Sequence, residues 1–110
     1  MGTTIRWSDL VREADQIRGS ARALCWAIAS VYDAPDGAPS VPSVEVSDDA
    51  PWLVDEIQHL GDWAGLHPIA VGKALASLAR VGVVEVERDG LLATARVRLI
   101  AAGLRAWAAR

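Results

Sequence analysis

The chain has 110 residues, the size of one ordinary domain, and 52% hydrophobic content is ample for a core without disulfide or metal support. No run approaches the roughly 18 uninterrupted apolar residues of a membrane span, and the start, Met1 to Trp7, lacks a basic-then-apolar leader, so a cytoplasmic, non-membrane protein is expected. The net charge of −3 divides into two halves: −7 from Met1 to Leu66 and +4 from His67 to Arg110, so the acidic whole contains a basic half able to meet phosphate.

Ser8 precedes Leu10, Ala14 and Ile17 at helical spacing, with Arg18-Gly19 as the close, which predicts an opening helix. Ser20 caps a second helix, from about Ala21 to Asp33, with Leu24, Ile28 and Val31 on one face and Ala34-Pro35 as its stop. Cys25 lies among apolar neighbours, and a lone cysteine reads as a core thiol. The stretch 34–47 is a Pro-rich loop, with Val44-Glu45-Val46 as a very short strand at its end.

Asp48 or Asp49 is a good N-cap and Pro51 suits a first turn, so a third helix is expected in which Leu53, Ile57, Leu60 and Ala64 face inward and Gly65 ends the run. His67-Pro68 opens a fourth helix, with Val71, Leu75 and Leu78 repeating up to Gly82. The period then changes to two. Val84 and Val86 alternate with Glu85 and Glu87, Asp89-Gly90 reads as a hairpin turn, and Ala93, Ala95, Val97 and Leu99 alternate back. This turn pairs Arg88 with Leu91 and sets Glu85 opposite Thr94, with Arg96 on the diagonal. Ala101 to Arg110, with Leu104 and Trp107 three apart, is a short closing helix.

The segment from Leu60 to Val84 meets the needs of two helices packed at a steep angle. Leu60 and Ala64 face inward, Gly65 makes the turn, Leu66 plugs the angle, and Val71, Leu75 and Leu78 form the inner face of the second helix. This pattern resembles the winged helix-turn-helix superfamily, as in MarR-, GntR- and PadR-type regulators. The likeness runs from about Asp49 to Trp107, and Val97-Arg98-Leu99-Ile100-Ala101-Ala102-Gly103-Leu104 resembles the way such wings run into a closing helix. It implies a mainly α fold with a small β-hairpin wing in one domain. The expected parts are amino-terminal helices over 1–33, the loop over 34–47, the helix-turn-helix over 48–82, the wing over 83–99 and a carboxy-terminal helix over 100–110.

The resemblance implies a regulator that binds double-stranded DNA, with the helix 68–80 in the major groove and the wing on the backbone. The residues so placed are His67, Pro68, Ile69, Gly72, Lys73, Ser77 and Arg80 on the helix and Arg88, Arg96 and Arg98 on the wing. This helix departs from the family pattern: its first two turns lack Arg, Asn and Gln, the side chains that make bidentate contacts to bases, leaving phosphate and thymine-methyl contacts as its main resources. An alternative from another class is a winged-helix module that docks on a protein or on itself. Five tryptophans and no phenylalanine support it, as does a wing tip with Leu91 and Leu92. Trp52, Glu56 and Trp63 fall close together on a helical wheel, so an amino-terminal helix covers the two rings or they form an interface. Leu104 and Trp107 pose the same choice, docking on the domain or building a dimer. The bland readings, an ordinary exposed helix face and solvated hairpin charges, stand beside both.

No enzyme, cofactor or metal site is expected. His59 and His67 lie on different helices, no acid-histidine-nucleophile spacing is legible, and Gly61, Gly65 and Gly72 do not follow a strand as a phosphate loop would.

Overall fold

A computed structural model describes residues 6–33, 45–47, 50–88 and 94–108, and among them are five helices and a three-stranded antiparallel sheet. The first helix, α1 (Trp7–Glu13), buries Trp7, Leu10 and Val11. It starts where it does because the Asp33 carboxylate, 25 and 26 residues away, accepts hydrogen bonds from the backbone N–H groups of Ser8 (3.1 Å) and Trp7 (3.0 Å). These are donors that the first helical turn cannot satisfy internally. Sequence spacing carries this helix to Ile17, but it stops at Glu13. Ala14 and Ile17 stay buried without helical backbone, because the Arg22 guanidinium donates to the carbonyls of Ala14 (3.0 Å), Ile17 (3.3 Å) and Arg12 (3.3 Å).

The central helix, α2 (Gly19–Asp33), begins slightly ahead of the expected Ser20 cap and packs against α1 and against the next two helices in the chain; the expected Pro-rich loop falls, over 34–44, outside the described residues. Its buried face holds Leu24, Cys25, Ile28, Ala29 and Tyr32, with Val31 only half-buried. Burial pushes the Cys25 thiol up to about 12 against an opposing pull from Arg22, so the thiol is an inert core group, as its neighbours suggest. Tyr32 stacks at 4.9 Å on Trp7 and donates its hydroxyl to the Pro51 carbonyl at 2.8 Å, tying the chain ahead of the sheet to the core.

The chief departure from the sequence reading comes next. Residues expected in one long third helix divide into a strand, β1 (Leu53–Glu56), and a shorter helix, α3 (Ile57–Ala64). Leu53 and Ile57 sit four apart, a spacing that suits either conformation, and pairing with a distant strand supplies the backbone partners that decide the matter. The expected cap at Asp48 or Asp49 lies outside the described residues, as does Val44, while Glu45 and Val46 are in no strand.

Helix α3 buries Ile57 and Leu60, and Gly65 turns the chain with φ +70°. A side chain at Gly61 would come within 2.5 Å of the Leu66 carbonyl oxygen, so the turn closes on bare backbone there. His67 then caps α4 (Pro68–Arg80), which buries Val71, Ala74, Leu75 and Leu78 in the expected register. Gly82, at φ +81°, leads into β2 (Val84–Arg88), and β3 (Thr94–Leu99) returns beside it with Ala95, Val97 and Leu99 buried. The sheet order is β1-β3-β2, with Val54 opposite Arg96 on one side of β3 and Glu87 opposite Arg96 on the other.

The hairpin register is also corrected. Arg88 pairs with Ala95, not Leu91, and Glu85 with Arg98, not Thr94, a register that does not fit a two-residue turn at Asp89-Gly90; the turn itself lies outside the described residues. A shift of four keeps every side chain on its own face, so alternation cannot reveal it. Helix α5 (Ala101–Ala108) closes the chain with Ala101 and Leu104 fully buried.

Candidate functional site

Two surfaces hold the residues singled out in the sequence. The first is the outer side of α4. His67, Pro68, Ile69, Lys73, Ser77 and Arg80 are all exposed, and Gly72 is half-buried among them. The fourfold and threefold spacing of Val71, Ala74, Leu75 and Leu78 turns the remaining positions outward. The His67 Nδ1 accepts the Ile69 N–H at 3.2 Å, which satisfies one free donor of the first turn, and Pro68 removes another. The helix contains two cations, Lys73 and Arg80, and no acid. Ile69 is 65% exposed, an uncommon placement for a large aliphatic residue.

The second surface is the outer face of the sheet, where β2 and β3 are cross-linked by charge and the Trp52 ring lies against the arginines. On β3, Arg96 donates to Glu87 at 2.9 Å, and the Arg98 Nη2 donates to both carboxylate oxygens of Glu85 at 3.0 Å. The guanidinium carbons lie 4.9 Å (Arg96) and 4.7 Å (Arg98) from the centre of the Trp52 ring, just ahead of β1. Exposed ion pairs of this kind contribute about 0–1 kcal/mol each and a stacked guanidinium about 0.5–1. Their larger effect is positional, since each arginine is held both by a glutamate of the neighbouring strand and by the Trp52 ring. The Arg98 Nε is buried with no partner among the described residues.

The expected diagonal contact from Glu85 to Arg96 is therefore replaced by Glu85 to Arg98 and Glu87 to Arg96, as the corrected register requires. Arg88 stands opposite Ala95 on the backbone, and its side chain lies outside the described set, as do Leu91 and Leu92.

Of the five expected interface residues, Trp63 is half exposed, at 50%, on α3. Trp52 does not share that helix: it precedes β1 and is half-buried, so the wheel grouping of Trp52, Glu56 and Trp63 does not exist. Leu104 is corrected outright. It is 0% exposed, one of the buried core residues, because α5 packs on α1 with that side inward. Trp107 is half-buried and lines a hollow of about 170 Å³ with Ile17, Leu78 and Val81.

Sequence reasoning passed over Val54, 62% exposed on β1, because the strand itself was not seen. It also gave Glu85 the wrong arginine, Arg96, and gave Glu87 and Arg98 no part in the pairing. The alternation of Glu85 and Glu87 with buried valine, against Arg96 and Arg98 in the returning strand, was the available signal.

Among the described residues no three of His, Cys, Asp and Glu gather as a metal set, and no helix is long and apolar enough to cross a membrane. Compared with protein-family models, curated proteins and solved structures, the chain matches none of them.

Proposed function

We propose that this chain is a winged-helix DNA-binding protein of the transcriptional-regulator type, in which α4 enters the major groove and β2 and β3 form the wing. The order α3, turn, α4, hairpin, with an earlier strand added beside β3, fits that architecture. The observation that carries the reading is the outer side of α4: a capped, acid-free helix face presenting His67, Lys73, Ser77 and Arg80 together. Lys73 and Arg80 neutralise phosphate, and Ser77 and His67 supply hydrogen bonds. Ile69 offers apolar contact to a thymine methyl. With no Arg, Asn or Gln on the first two turns, most of the binding energy comes from the backbone, and discrimination between sequences is shallow.

Fluorescence anisotropy with a labelled duplex, titrated across salt concentration, tests this directly. Wild-type protein should bind at low ionic strength with a salt slope that flattens by about one for each cation removed in K73A and R80A. Absence of salt-sensitive binding at low ionic strength would overturn the reading.

A second reading has its own support: Trp63 and Ile69 are exposed near the α3–α4 turn, and both described arginines of the sheet are already paired. On that reading the same corner docks on a protein or a second copy of the chain. Wild-type protein that binds no DNA yet self-associates in light scattering, with the association abolished in W63A/I69A, would favour it.

A further inference from the structure

We infer that Glu85 and Glu87 hold the wing in a self-paired state, occupying the donors with which Arg96 and Arg98 would otherwise grip a phosphate backbone. The inference rests on the DNA reading above and concerns how strongly that site binds.

Three observations carry it. The acids are matched one to one with the arginines by strand register, Glu85 opposite Arg98 and Glu87 opposite Arg96, so the pairing is built into the sheet. The contacts are at hydrogen-bond distance, 2.9 and 3.0 Å, and use the terminal guanidinium nitrogens that a phosphate would need. Both guanidinium carbons lie over the Trp52 ring, 4.9 and 4.7 Å from its centre, so each cation has a second contact that does not depend on its carboxylate. A stacked arginine keeps its orientation when its carboxylate partner is lost. Removing the acids therefore leaves two oriented cations on an exposed surface, whereas removing Trp52 leaves the pairs without their platform. The two arginines are not equivalent: the Arg96 side chain is 49% exposed and that of Arg98 24%, so Arg96 is the first to exchange Glu87 for phosphate.

A DNA-binding comparison of wild type, E85Q/E87Q, R96A/R98A and the combination of all four changes tests this, with E13Q/D15N as a control of equal charge change on and just beyond α1. Glutamine preserves the side-chain length, and a thermal melt of each protein verifies folding; E87Q alone serves if the double variant melts early. The expected result is affinity about five- to tenfold tighter for E85Q/E87Q at low salt, with a salt slope steeper by about two phosphate contacts. That gain should vanish when Arg96 and Arg98 are also replaced.

Unchanged affinity in E85Q/E87Q, alongside weakened binding in K73A, overturns the inference and leaves the DNA reading standing. A gain that persists without the arginines, or that E13Q/D15N reproduces, also overturns it, as a general charge effect. No binding by any of these proteins removes the DNA reading and the inference together.

Discussion

Helix α4 and the outer face of the sheet each present two described basic residues, yet they hold them in opposite ways. On α4, Lys73 and Arg80 stand on a helix that contains no acid. On the sheet, Arg96 and Arg98 stand opposite glutamates and over an indole ring, so four formal charges sum to zero. A count of arginines in the basic half would credit both surfaces equally. The difference teaches that the capacity of a surface to attract an anion depends on what each cation already touches, and by that measure α4 dominates.

The largest expected effect tests what supports the sheet side. Burial raises the Tyr32 phenol to about 12 from its ordinary 10, while the Leu99 backbone and Arg98 pull the other way. The folded chain thus keeps a proton that the unfolded chain releases, so this contribution is complete below pH 10 and is lost as pH rises to 12. The Cys25 thiol acts in the same sense from pH 9 upward. Thermal melts from pH 8 to 12 should show Tm falling steeply above pH 9, with a shallower fall in Y32F.

Next in size, K73A/R80A should weaken DNA binding about thirtyfold at low salt, measured by anisotropy. A loss below threefold would break the comparison by showing that α4 is not the dominant surface. R96A/R98A should change DNA affinity less than threefold while lowering stability by about 1 kcal/mol in urea unfolding, because the lost contacts are internal ones. The smallest effect is expected from S77A, which removes a single exposed hydroxyl. Its affinity should stay within about twofold of wild type, and a larger loss would assign Ser77 a base contact.

How far the sequence revealed these surfaces depended on the range of the interactions that built them. Periodicity placed Leu60, Val71, Leu75, Leu78, Val97 and Leu99 inside correctly, because burial repeats locally with the pitch of each element. It also turned Lys73, Ser77 and Arg80 outward correctly. It failed at β1, where Leu53 and Ile57 satisfy two conformations and pairing with Val97 and Ala95 decides between them. It failed at the hairpin for a related reason, since registers that differ by an even number bury the same residues. Leu104 was misplaced because an apolar pair three apart marks a helix face without saying what covers it. The bonds of Asp33 to Trp7 and Ser8 span 25 or more residues and left no local trace.

Gly103 gives the fold a mechanical property. A side chain there would overlap the Gly82 carbonyl and press on the Val83 Cα, so α5 meets the corner between α4 and β2 through unclad backbone. Nearby, the Ile100 N–H donates to the Val83 carbonyl at 2.8 Å. Where two elements normally touch, side chains act as compliant bearings that rearrange under load. At Gly103 there are none, so the approach of α5 to this corner is set by backbone against backbone, and any larger residue at that position requires the helix to move away.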